Sequence, residues 1–234
     1  MKLYEILLRR VGLIQDKPVP QEKAEEEKIY NPIGCKVGGV VKIDSIDFRD
    51  HRFTVKEIQE YSVGIGGSTH RMVDYVLLSR PIGKPDFMVR LRVVPNDDKS
   101  RITHRAVVIV MDDEFEWNED FLAVVNDPSK KFVVDDDKSD DDPSNDTHEE
   151  FWRVNDVGSS YNAKVKVLAD TDGDGKVEAK EIVKAQVEFW DFSRMTEMDG
   201  VELEEFIFVE MNKDNGWFQI WRGTEVIPER IEVF

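Results

Sequence analysis

Five acidic residues and one glycine between residues 170 and 181 have the types and the spacing of a calcium-binding loop. Asp170, Asp172 and Asp174 alternate along the chain, Gly175 follows them, and Glu181 ends the pattern. This spacing matches the D-x-[DN]-x-[DN]-G-x5-E pattern in full. Calcium is a hard cation that takes about six to eight oxygen ligands. The segment therefore predicts a Ca²⁺ site.

The predicted ligands are side-chain carboxylates and one backbone carbonyl. A loop of this pattern uses its first, third, fifth and twelfth side chains, a backbone carbonyl at the seventh position, and the ninth side chain directly or through water. Gly175 allows the sharp turn that such a loop requires. The predicted metal ligands are Asp170, Asp172, Asp174, the carbonyl of Lys176, Glu178 and Glu181.

The twelve residues resemble an EF-hand calcium loop, and the resemblance covers the loop alone. Residues 164–169 before the loop read KVKVLA, and apolar and polar residues also alternate over 183–189 after it. Both flanks therefore predict strands rather than the two helices of an EF-hand. The loop also resembles calcium loops set between strands in some β-propeller and extracellular proteins, in which Glu178 would matter more and Glu181 less. A single loop between strands favours a structural role over a calcium-driven helical switch.

The remaining sequence predicts a mainly β fold of antiparallel sheets, arranged as a small barrel or a sandwich. Segments with period-two alternation, rich in β-branched and aromatic residues, are separated by turn sequences. Only residues 2–14 show a helical period, with Leu3, Leu7, Val11 and Ile14 on one face. The predicted strands are 40–44, 52–58, 73–79, 87–94, 102–111, 163–169, 183–192, 200–211, 216–221 and 230–234.

The chain divides by composition into four parts. Residues 1–32 are predicted to be a short helix and an extended arm, and residues 33–130 a first β-rich unit. Residues 131–150 are predicted to be an acidic loop, because carboxylates outnumber lysine nine to one over 133–150. Residues 151–234 are predicted to be a second β-rich unit that carries the calcium loop.

The two β-rich units resemble each other in sequence. Residues 41–58 align without a gap with residues 165–182, and residues 72–79 align with 203–210. These alignments suggest a duplicated β-unit, and chance similarity between alternating strands is the alternative.

Composition narrows the class of protein. A net charge of −17 disfavours nucleic acid as a partner, because binding to phosphates depends on Lys and Arg. The single cysteine, Cys35, forms no internal disulfide and is expected to be buried. No signal peptide or membrane span is visible, so we expect a cytoplasmic protein, with non-classical export as the alternative.

These observations favour a non-enzymatic, calcium-binding structural or interaction protein. Its expected partner is another protein or a second copy of the chain, bound through the N-terminal arm or the sheet edges. One alternative is a hydrolase that uses a metal or a pair of carboxylates. Another, less favoured, is a peripheral membrane protein held by residues 2–14.

Overall fold

The structure is a computed structural model that describes residues 29–45, 48–65, 68–81, 85–95, 104–127, 129–136, 147–154, 161–169, 178–198, 200–212 and 215–234. These residues form twelve β-strands, one α-helix and a short 3-10 helix. The strands are β1 Val40–Ile43, β2 His51–Ile65, β3 Ser68–Ser79, β4 Phe87–Pro95, β5 His104–Glu116, β6 Phe132–Asp136, β7 Thr147–Arg153, β8 Tyr161–Ala169, β9 Glu178–Met198, β10 Val201–Asn212, β11 Trp217–Val226 and β12 Ile231–Val233. Helix α1 is Glu119–Asn126, and the 3-10 helix is Pro228–Arg230.

The strands form one large antiparallel sheet. Its order is β12-β1-β2-β3-β4-β5-β11-β10-β9-β7-β6. Strand β8 lies outside this order, because it pairs with residues 57–63 of β2 on one edge and with β9 on the other. The pairings that run from β2 through β5, β11, β10, β9 and β8 therefore return to β2.

The strands of this ring bury side chains on both faces. In β10, Phe206 and Phe208 belong to one apolar cluster, whereas Ile207 and Val209 belong to another. Successive strand residues point to opposite faces, so this continuous burial means that both faces are covered. We call the face that carries Phe206, Phe208 and Tyr61 the inner face, and the opposite one the outer face.

Two apolar clusters cover the outer face. The first lies on β1–β5, where residues before β1, including Cys35 and Ile33, pack against the sheet. Burial raises the pKa of the Cys35 thiol to about 12, and the expectation of a buried thiol is confirmed. The second cluster lies on β9–β11 and is covered by α1 and the β6–β7 hairpin.

Helix α1 is short and depends on its cap and its packing. The side chain of Asn118 accepts a hydrogen bond from the Phe121 backbone N–H at 2.9 Å, and Glu119 and Asp120 lie in the first turn. Both features stabilise a helix N-terminus. Val125 is fully buried, and the Phe121 ring lies 5.1 Å from that of Phe218. The described residues contain no helix long and apolar enough to cross a membrane.

The prediction of a mainly β, antiparallel fold is confirmed. The turn signal Asn215-Gly216 joins β10 and β11 as a hairpin in which Asn212 pairs with Trp217. Gly216 has a positive φ of 72°, a conformation that glycine adopts without strain. The predicted helix over residues 2–14 lies outside the described residues.

The structure differs from the sequence prediction at the acidic segment 131–150. Residues at both of its ends form strands, β6 and β7, which pair as a hairpin. Phe132 and Val134 flank the exposed Val133 and pack against the second outer cluster beside Phe151. This apolar alternation outweighs the acidic composition at the ends of the segment.

The aligned halves of the sequence occupy matching positions in the sheet. Strands β1 to β4 pair consecutively, and strands β8 to β11 do the same. Strands from residues 33–130 and from 151–234 share one sheet, because β5 pairs with β11 and β2 with β8.

Candidate functional site

The calcium-loop sequence connects β8 and β9. These two strands are antiparallel, with Ala169 paired with Glu178 and Lys166 paired with Glu181. The prediction that strands flank the loop is confirmed, and the loop therefore belongs to a β-hairpin rather than to a helix–loop–helix unit.

Most predicted ligands lie outside the described residues. Asp170, Asp172, Asp174 and Lys176 fall in the connection between β8 and β9, and only the backbone of Glu178 and Glu181 is described. Within the described part of the chain, no group of three or more His, Cys, Asp or Glu side chains could hold a metal ion. The calcium site itself therefore stays a prediction.

The hairpin separates the two glutamates along β9. Glu178 is the first residue of the strand and adjoins the connection directly. Glu181 is paired three residues further along, which corresponds to about 10 Å of strand length. If a helix followed the loop, Glu178 and Glu181 would be about one turn apart and much closer along the helix axis.

Strand β8 joins the two halves of the ring. Its Val165 and Val167 are buried on the inner face with Tyr61 of β2 and Phe189 of β9. The Tyr61 and Phe189 rings lie 5.7 Å apart, edge to face. The calcium-loop hairpin thus begins on the strand that connects β2 to β9.

A cluster of buried charges lies beside these residues on the inner face. Arg92 donates two hydrogen bonds to Asp74, from Nε at 2.9 Å and from an Nη atom at 2.8 Å. The same Nη atom donates to Glu210 at 2.6 Å. Asp74 and Arg92 are almost completely buried. One guanidinium therefore joins carboxylates from β3 and β10.

A second arginine completes the cluster. Arg90 lies two residues before Arg92 on β4, and its guanidinium is 3.2 Å from the Glu210 carboxylate. The guanidinium of Arg90 lies 3.7 Å from the centre of the Trp221 ring, and that of Arg92 lies 4.7 Å from the Phe208 ring. Cation–π contacts of this kind are strongest where water is excluded.

The electrostatics of the cluster favour its charged form. Burial alone would disfavour the Arg92 guanidinium, but the carboxylates of Asp74 and Glu210 keep its pKa well above the ordinary value. Tyr61 donates a hydrogen bond to Gln59 at 2.6 Å, and burial raises the pKa of its hydroxyl. The inner face therefore combines satisfied ion pairs with apolar packing.

Burial disfavours the ionisation of Asp191 on the inner face of β9. Burial raises its pKa from 3.8 to about 6, partly opposed by the charge of Arg92 and reinforced by that of Glu210. Because the folded chain holds this proton more tightly than the unfolded chain, Asp191 contributes most stability below about pH 4. This contribution is lost as pH rises through about 6.

Replacing Asp191 with asparagine should remove this pH dependence. We expect the free energy of unfolding of Asp191→Asn, relative to wild type, to be up to about 3 kcal/mol higher near pH 7.5 than near pH 4. Urea unfolding at both pH values measures this difference. Ser193→Ala, on the same face of β9, changes no titratable group and should show an equal effect at both. A pH-independent effect of Asp191→Asn would contradict the raised pKa.

The sequence patterns did not single out the buried charge cluster. Arg90 and Arg92 alternate with Val89, Leu91 and Val93, a pattern that ordinarily indicates a solvated strand face. The available signal was Asp74 within the strand VDYVLLS and Glu210 within FIFVEM, where isolated charges interrupt strands that are apolar on both faces.

No family model matches the chain, and no curated protein and no solved structure matches it. Its function is therefore inferred from its own residues and their placement.

Proposed function

We propose that this chain is a calcium-binding structural and interaction protein without a catalytic role, in which Ca²⁺ stabilises the β8–β9 hairpin. The pairing of Ala169 with Glu178 carries this proposal, because it brings the two ends of the aspartate-rich connection together. Asp170 follows β8 directly, and Glu178 begins β9.

The acidic composition of the connection supports the proposal of a bound cation. The short connection carries three aspartates and Glu178 follows it directly, so their charges repel one another when the hairpin forms. A divalent cation with flexible coordination of about six to eight oxygens relieves this repulsion. The connection holds no histidine or cysteine, so its donors are oxygens, which suit Ca²⁺ better than zinc.

The hairpin favours Glu178 over Glu181 as the acidic ligand that closes the site. Glu178 adjoins the connection, whereas Glu181 is paired with Lys166 about 10 Å further along the strand. Glu178→Gln is therefore expected to weaken calcium binding more than Glu181→Gln, the reverse of the order in a helix–loop–helix site.

The expected role of the ion is to stabilise the junction between the halves of the ring. Strand β8 pairs with β2 and with β9, and all three contribute to one buried cluster. An ion at the end of β8 would oppose fraying of that hairpin. Since the flanking elements are paired strands, binding would stabilise the fold without opening a groove.

Calcium is expected to raise the stability of the wild-type chain. At about one hundred times its dissociation constant, a ligand of the folded state adds about 2.7 kcal/mol. For a chain of this size that corresponds to a rise in Tm of about 5–10 °C. Thermal unfolding with calcium and with a chelator measures the difference.

Two double variants make the test specific. Asp170→Asn with Asp174→Asn should abolish the calcium-dependent rise in Tm. Asp140→Asn with Asp142→Asn makes the same charge change in the acidic segment and should retain it. Equal Tm values for the wild type with calcium and with chelator would refute the proposal.

A further inference from the structure

Among the described strands, β6 of the β6–β7 hairpin has one unpaired edge, at the end of the sheet. In the described part of the chain, β6 is the last strand of the sheet order, and its strand partner is β7 alone. The other edge of a terminal strand carries backbone N–H and C=O groups that are a template for pairing with another strand.

The hairpin is firmly attached to the sheet. Strand β7 pairs with β9 through Trp152 and Arg153. The Glu149 carboxylate lies 2.7 Å from Arg194 and 2.6 Å from Arg222, which links β7 to β9 and β11. Phe151 is fully buried in the second outer cluster. Strand β7 therefore attaches β6, with its unpaired edge, to the rest of the sheet.

The solvent-facing side of the hairpin carries exposed apolar side chains beside the Lys131–Glu150 ion pair. Val133 is 49% exposed, Trp152 60% and Val154 45%. The ammonium group of Lys131 lies 4.0 Å from the centre of the Trp152 ring. The opposite side, with Phe132 and Val134, packs against the second outer cluster. Exposed apolar side chains beside an unpaired strand edge are typical of an interaction surface.

The charges along β6 are complementary to those of a second copy of the same strand. Lysines occupy positions 130 and 131 before its apolar centre, and aspartates occupy positions 135 and 136 after it. An antiparallel pair centred on Val133 sets each lysine position opposite an aspartate position, Lys131 with 135 and Lys130 with 136. Opposite charges that face each other across strands stabilise the pair.

In the same register, residues of the two copies that lie opposite each other also lie on corresponding faces of their strands. Val133 lies opposite Val133 of the second copy on the exposed side, and Phe132 lies opposite Val134 on the packed side. An antiparallel pair centred on any other residue loses part of this correspondence of charges and faces. Centring on Val134, for example, sets Lys130 opposite Lys138.

We propose that two copies of this chain associate through their β6 strands, paired antiparallel about a two-fold axis at Val133. The contact is isologous, so the same residues of both copies form it and the assembly closes as a dimer. This inference goes beyond the calcium proposal and does not depend on it. The measurement below is made in chelator, so that failure of one proposal is distinguishable from failure of the other.

Charge-swapped variants test the proposed pairing by sedimentation velocity over a concentration series. The wild type should show a reversible dimer. Lys130→Glu with Lys131→Glu, and separately Asp135→Lys with Asp136→Lys, should each raise the dimer dissociation constant at least ~10-fold, because like charges then face each other. An equimolar mixture of the two double variants should restore dimerisation as a heterodimer.

Further variants separate the interface from folding and from net charge. Lys131 also pairs with Glu150 within the chain, so Val133→Lys supplies an independent test that retains Lys131 and sets two lysines opposite each other at the two-fold axis. Glu197→Lys with Glu202→Lys alters an exposed cross-strand pair on the β9–β10 hairpin and should leave dimerisation unchanged. A wild type that stays monomeric, a mixture that does not recover, or an equal loss in this control would overturn the proposal.

Discussion

Replacing Arg92 with methionine is expected to lower the free energy of unfolding by about 3–5 kcal/mol. The guanidinium makes three hydrogen bonds to Asp74 and Glu210, and all three side chains are buried. Methionine retains much of the volume but leaves two carboxylates in an apolar environment without their main counter-charge. The cost is therefore mainly that of uncompensated buried charge, and urea unfolding at neutral pH measures it.

An exposed ion pair provides the control for Arg92. Arg80 lies 3.3 Å from Asp86, and both side chains are more than half exposed. Arg80→Met should therefore cost less than about 1 kcal/mol. Adding Asp74→Asn to Arg92→Met should recover part of the lost stability, because Glu210 keeps its pair with Arg90 and the other orphaned charge is removed. Equal losses for Arg92→Met and Arg80→Met would show that the inner-face cluster is not buried as described.

Replacing Gly223 with valine is expected to destabilise the fold by about 3 kcal/mol. Gly223 pairs with Ile109 where β11 meets β5. A Cβ atom at this position would lie 2.7 Å from the backbone oxygen of Val108 and 2.9 Å from a methyl carbon of Val107, and would collide with the Ile109 side chain. Backbone atoms in a paired strand cannot move aside without breaking the pairing. Guanidinium unfolding measures the loss.

The neighbouring residue provides the matched control for Gly223. Thr224 follows it on β11 and lies on the opposite face, so Thr224→Val exchanges a hydroxyl for a methyl group in a side chain of the same shape. We expect an effect below about 1 kcal/mol. If Gly223→Val lowered the free energy of unfolding as little as Thr224→Val, this would contradict the close approach of β11 to β5.

Local sequence patterns predict the strands well because each strand has its own alternation and its own turns. The Asn215-Gly216 turn and the period-two flanks of residues 170–177 needed no knowledge of distant residues. The pairings of β5 with β11 and of β2 with β8 join residues about a hundred positions apart. No local pattern encodes such contacts, which explains why these two pairings were not predictable.

The inner-face charges were unpredictable for the same reason. Alternation identifies which residues of β4 share a face, but it does not reveal that the second face is also enclosed. Arg90 and Arg92 therefore resemble solvated residues until β10 supplies Glu210 and β11 supplies Trp221. The calcium-loop pattern, by contrast, is local and was recognisable at once. The preference for Glu178 over Glu181 required the register of β8 with β9.

Equilibrium dialysis of the full chain against Ca²⁺ most directly tests whether the β8–β9 hairpin binds calcium. We predict a single bound Ca²⁺ per chain, lost in Asp170→Asn with Asp174→Asn and weakened more by Glu178→Gln than by Glu181→Gln. No bound calcium, or binding that survives the double aspartate variant, would contradict the proposed function.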